Sequence, residues 1–119
     1  MLTISFQRKV ELLELALYCD VKADESYTPR VVSVRAGNSL AEMKEVRLME
    51  LDEPGGWVTI NLVRGGVVAR PGSPGVKAYV LQVVVVSNHQ NGRDTHVRQC
   101  KVYGPRMCVL FVMRRARPP

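Results

Sequence analysis

Turn chemistry interrupts this chain about every 8–12 residues, and that spacing is what most limits its fold. Asp20–Arg30 is rich in Asp, Glu and Ser and contains Pro29. Gly37-Asn38 and Glu53-Pro54-Gly55-Gly56 follow, then residues 64–75 with four Gly and two Pro, then Asn91-Gly92. Between these breaks lie short runs with a strand's period of two. Leu2, Ile4 and Phe6 alternate with Thr3, Ser5 and Gln7, which predicts a half-buried strand. Val10–Cys19 fits either period; its density of Leu predicts a strand buried on both faces, with a short helix as the rival reading. Val31–Ala36 and Val46–Leu51 read as strands. Val58, Ile60 and Leu62 alternate with Trp57, Thr59 and Asn61. Tyr79–Val86, ending in four valines, predicts a central strand. His96–Tyr103 alternates again, and Cys108–Met113 predicts the last strand. Seven or eight strands with no helix of consequence predict an all-β antiparallel sandwich or jelly roll. Function in such folds sits in loops at one end, which singles out the polar stretches Asp20–Arg30 and Ser87–His96.

With 119 residues the chain suits one domain, taken as residues 1–113 with a basic tail at 114–119. No apolar run reaches the roughly 18 residues of a membrane helix. Met1–Val10 lacks the pattern of a secretory signal, so none is expected. Cys19, Cys100 and Cys108 are odd in number and far apart, and read as thiols in a reducing compartment. Charge is uneven. Residues 1–63 hold seven Lys/Arg against ten Asp/Glu, a balance of −3. Residues 64–119 hold ten Lys/Arg against Asp94 alone, a balance of +9. The basic half suits an acidic partner or nucleic acid, or serves only solubility.

The two polar loops carry a likeness. Lys22-Ala-Asp-Glu-Ser-Tyr-Thr-Pro29 and Asn88-His-Gln-Asn-Gly-Arg-Asp-Thr-His96 resemble the DOC domain family of the anaphase-promoting complex. Ile4-Ser-Phe-Gln-Arg-Lys9, Ser33-Val-Arg-Ala-Gly-Asn38, Glu53-Pro-Gly-Gly-Trp57 and Val97-Arg-Gln-Cys-Lys-Val-Tyr-Gly-Pro105 extend the similarity over about residues 2–105. The resemblance implies a jelly-roll β-sandwich of the galactose-binding-like type. It also implies a noncatalytic ubiquitin-ligase subunit of the nucleus and cytoplasm, without a cofactor. Its partners would be other complex subunits, a propeller-type activator and cell-cycle substrates bearing a destruction box, an extended Arg-x-x-Leu peptide. The family has further strands ahead of the residue matching Leu2, so an N-terminally incomplete sandwich is expected, with exposed sheet edges. The family also ends in Ile-Arg where this chain has Pro118-Pro119, and residues 64–75 exceed the corresponding family loop.

A peptide-receiving loop needs donors and acceptors on short side chains. Asn91 offers an amide able to pair with peptide backbone. Arg93 can fork onto a carboxylate or carbonyl. Asp94 can meet a basic residue, or equally hold Arg93 or His96. The resemblance adds His96, Ser26 and Tyr27 as peptide contacts. Each has a plainer role beside it. Asn91-Gly92 alone fits a type I′ hairpin turn. His96 suits a structural hydrogen bond at the start of a strand. Asp24, Ser26 and Thr28 suit turn capping. Trp57, after its Pro-Gly-Gly turn, reads as core. No G-x-S-x-G elbow or Cys-His pairing is visible, and His89, Asp94 and His96 lack metal-ligand spacing, so neither an enzyme nor a metal site is expected. A sugar-binding module and a basic nucleic-acid binder remain the competing classes. The first wants exposed aromatics at the loop end, where only Tyr27 stands. The second wants aromatics among its Lys/Arg, and from Arg93 onward there are only Tyr103 and Phe111.

Overall fold

The computed structural model describes residues 1–63, 75–92, 97–105 and 108–114, with backbone only at Asn91 and Arg114. It is an all-β sandwich of the jelly-roll kind. Eight strands run in chain order: β1 (Leu2–Leu12), β2 (Glu14–Asp20), β3 (Pro29–Gly37), β4 (Met43–Glu50), β5 (Gly55–Asn61), β6 (Val76–Asn88), β7 (Gln99–Tyr103) and β8 (Val109–Arg114). They form two antiparallel sheets with orders β1-β6-β3-β4 and β5-β2-β7-β8.

Inward-facing residues of both sheets build one core. Leu12, Leu15, Leu17, Val32, Val34, Ile60, Leu81, Cys100 and Val102 are fully buried within it. Each large aliphatic side chain so placed contributes about 1.5–3 kcal/mol. The period-two pattern of β5 holds: Ile60 is buried and Val58 packs against the core, while Trp57 and Thr59 face outward.

The stretch Val10–Cys19 departs from expectation. It is not one strand but the end of β1 and most of β2, which lie in opposite sheets, with the chain crossing at Leu13. The leucines on both sides of the crossing point into the same core, so the segment looks uniformly apolar. β1 also runs longer than its alternation suggested. Its register shifts between Ser5, opposite Val80, and Val10, opposite Ala78, so residues 6–9 bulge over Tyr79.

Trp57 is a second correction. It is 44% exposed on the outer face of its sheet, and not in the core. It opposes Tyr18 across β5–β2, with ring centroids 5.4 Å apart and planes at 83°. Lys101 Nζ lies 4.7 Å from the indole centroid. Trp57 shares its phase with Thr59 and Asn61, so alternation sends it to solvent, where aromatic and cation–π contacts partly cover it.

β6 lies between β1 and β3, so its valine run is an interior strand over most of its length. Past Leu2, β3 alone flanks β6 among the described residues. A hollow of about 160 Å³ opens there, lined by Met1, Leu2, Leu17, Val83, Val85 and Val97.

Candidate functional site

Three connections gather at one end of the sandwich: residues 21–28 after β2, 51–54 after β4, and 89–92 with 97–98 between β6 and β7. The first is more ordered than its polarity suggests. The Asp20 carboxylate accepts from Lys22 N at 3.1 Å and caps a helical turn over Val21–Asp24. A 3₁₀ turn over Glu25–Tyr27 follows, closed by Thr28 N on Glu25 O at 3.1 Å. Val21 N donates to Pro54 O at 2.9 Å, which ties this connection to the second.

The third connection is tied to both. His89 N donates to Thr28 O at 2.9 Å. His89 Nε2 lies 2.8 Å from Leu51 O. A carbonyl only accepts, so Nε2 carries the proton and His89 is a structural strut. Buried Asn88 donates through Nδ2 to Gly92 O at 3.2 Å. Gly92 packs so closely on the Ser26 backbone that a Cβ there would lie 2.6 Å from Ser26 C.

A fork closes the arrangement. Arg98 Nε and Nη2 each donate to an Asp24 carboxylate oxygen at 2.9 Å. Asp24 is 6% exposed, while the Arg98 side chain is 46% exposed. The hydrogen bond to Asp24, and then its charge, raise the Arg98 pKa above the usual arginine value. Arg98 N donates to Tyr18 O at 3.0 Å, which fixes its backbone on β2.

Backbone strain concentrates at this end. Among the described residues, Glu25 (φ 47°), Glu53 (φ 40°) and Gln90 (φ 54°) are the non-glycine residues with positive φ, one in each connection. Each costs about 1–3 kcal/mol and persists only where its surroundings fix it. Asn91-Gly92 is therefore not a type I′ hairpin turn. Gly92 has φ −64°, the left-handed residue is Gln90, and the flanking strands β6 and β7 belong to different sheets.

The structure places the predicted residues as follows. Ser26 is half-buried beside Gly92, and Tyr27 is 44% exposed. Asn91 ends the 3₁₀ turn His89–Asn91. The two candidate loops are thus brought side by side. Arg93, Asp94 and His96 lie outside the described residues, as does the expected start of a strand at His96; β7 begins at Gln99. Sequence reasoning missed Asp24, Asn88, His89 and Arg98 as the framework. Asp24 was expected to cap a turn, but Asp20 does so and Asp24 takes Arg98.

Described charges at and beside these connections are Asp20, Asp24, Glu25, Glu50, Asp52 and Glu53 against Lys22, Arg30 and Arg98. The end is acidic although the chain carries +6, which disfavours a phosphate backbone here. Among the described residues no three His, Cys, Asp or Glu side chains come together to hold a metal. What the arrangement offers is a rigid polar rim suited to hydrogen bonding with an extended ligand.

Comparison with known proteins agrees with the loop motifs. The family described as "Anaphase-promoting complex, subunit 10" matches residues 1–117. "Anaphase-promoting complex subunit 10" of Homo sapiens is 43% identical over 105 residues, 88% of this chain and 54% of that protein. The Dictyostelium discoideum protein of the same name is 42% identical over 108 residues, 91% of this chain and 54% of its own length. The Drosophila melanogaster protein is 39% identical over 105 residues, 88% of this chain and 51% of its own length. The chain spans about half the length of these relatives. A match over nearly the whole chain, at this identity, shows that the chain belongs to the anaphase-promoting complex subunit 10 family.

Proposed function

We propose that this chain acts as a noncatalytic component of the anaphase-promoting complex in nucleus and cytoplasm. There it serves as co-receptor for the destruction box of cell-cycle substrates and promotes their processive ubiquitination. The observation that carries the reading is the meeting of the two motif loops, with Gly92 seated on Ser26. Ser26, Tyr27, Asn91, Arg93, Asp94 and His96 are the proposed peptide contacts. The other half of the receptor would be the propeller-type activator. Short amide, hydroxyl and imidazole groups suit an extended peptide, whose backbone offers donors and acceptors along its length.

The test measures capture of a fluorescent destruction-box peptide by the activator, with and without this chain. The chain is expected to tighten capture, and a peptide with its Arg and Leu changed to Ala should lose the gain. Asn91→Ala with His96→Ala should remove most of the gain, roughly 5- to 150-fold in affinity, while the chain stays folded. Capture unaffected by the double variant would refute the site.

One observation favours a second reading. The exposed Trp57 supplies an aromatic that a sugar site requires, although Lys101 already occupies part of its surroundings. Binding on a glycan array that is lost in Trp57→Ala would establish it.

A further inference from the structure

The Asp24–Arg98 pair is lopsided: its acid is buried and its base is half in solvent. A guanidinium carries five N–H groups, and the fork uses two of them. The other three meet no acceptor among the described residues. The pair ties the first motif loop, in which Asp24 precedes Ser26 by two residues in sequence, to the chain just ahead of β7. The Arg98 backbone is fixed by its bond to Tyr18 O, and its side chain by the fork, so little freedom is left to lose on binding.

We propose that Arg98 is an additional peptide-binding residue, whose guanidinium edge outside the fork donates to a main-chain carbonyl of the bound peptide. The inference rests on the destruction-box reading above. A carbonyl fits better than a carboxylate for an electrostatic reason. Asp24 already neutralises Arg98, and Asp20 and Glu25 lie in the same connection, so a second carboxylate would meet an acidic surface. A carbonyl accepts the hydrogen bond without bringing charge. Its bond to a cation is stronger than one between neutral partners.

The experiment uses the full chain with the activator and a fluorescent destruction-box peptide. Arg98→Lys keeps the charge but loses the fork and its outward edge. Measured well below the variant's own unfolding midpoint, which loss of the fork lowers, it should weaken binding roughly tenfold. A parallel series replaces the peptide's amides one at a time by esters, which weakens the adjoining carbonyl as an acceptor. One position should cost the parent chain affinity and cost Arg98→Lys nothing further. Changing the peptide's acidic side chains to amides should have no effect dependent on Arg98.

Equal binding by parent and Arg98→Lys overturns the inference and leaves the destruction-box reading standing. So do ester penalties that are the same in both chains at every position. A tenfold loss on amidating an acidic side chain, absent in Arg98→Lys, overturns the carbonyl assignment. If Arg98→Lys does not fold, the ester series on the parent decides, and a flat series overturns the inference. No capture of any destruction-box peptide by the parent chain refutes the underlying reading as well.

Discussion

Gly92→Ala should separate the two motif loops, and its cost can be worked from the contact it would break. Gly92 has φ −64° and ψ 153°, which any L-residue adopts without strain. Space alone demands glycine. An added Cβ would overlap the Ser26 carbonyl oxygen, lie 2.6 Å from Ser26 C and 2.9 Å from Ser26 Cβ. Ordinary carbon contacts begin near 3.5 Å, so the loops must part by about 1 Å. The obstacle is backbone, which cannot rotate aside as a flexible side chain does. The hydrogen bond that spans the seam, His89 N to Thr28 O at 2.9 Å, would lengthen beyond useful range. Overpacking costs about 1–3 kcal/mol, and the lost bond about 1 kcal/mol. Together these predict a loss of about 2–4 kcal/mol. Gly55→Ala is the matched control, since nothing lies within 4 Å of its Cβ position; it should change stability by less than about 0.5 kcal/mol. Urea unfolding measures both variants, and hydrogen exchange at the His89 amide reports the seam directly. If Gly92→Ala is no less stable than Gly55→Ala and keeps His89 protected, the loops are not held together through this contact.

Trp57→Ala should cost about 1–2 kcal/mol, from one edge-to-face ring pair and one exposed cation–π contact. A loss above 3 kcal/mol in urea would mean that the residue is core after all. Leu15→Ala, fully buried between the sheets, should cost about 2–5 kcal/mol by the same measurement. Burial pushes the Cys19 and Cys100 thiols up to about 12 from 9.0. The unfolded chain then releases protons above pH 9 while the folded chain retains them. Stability should therefore fall as pH rises from 9 towards 12, by at most about 1.4 kcal/mol per pH unit for each thiol. A flat profile from pH 9 to 10.5 would contradict this. At pH 8 iodoacetamide should label exposed Cys108 in the native chain and reach Cys19 and Cys100 only on unfolding, as peptide mass mapping would show.

Much of the sandwich was legible because its strands obey a period of two and glycine, proline and asparagine mark their ends. The valine run of β6 and the alternation of β5 stand where their patterns put them. Val10–Cys19 was misread because the crossing at Leu13 changes sheets without changing polarity: the same core receives Leu12 and Leu15 from opposite sides. Trp57 was misread because its size was weighed above its phase. At the candidate site the sequence showed which loops are polar, but not what joins them. The Asp24–Arg98 fork spans 74 residues, and the seat of Gly92 on Ser26 spans 66, so no local pattern could announce either contact.

The pairing of β1 with β6 has a consequence for how the chain is made. Leu2 lies opposite Val83, so β1 is synthesised well ahead of the strand it pairs with. At about 5–20 residues per second that interval is roughly 4–16 s, during which β1 lacks β6. Contacts this remote in sequence are also slow to form, since loop closure must precede any gain from pairing. The nascent chain thus carries the apolar row of Leu2, Ile4 and Leu12 without β6 beside it throughout that wait. Chaperones that hold extended apolar segments have their opportunity there, and depleting them should lower the soluble yield of this chain before it alters the stability of any molecule that has finished folding.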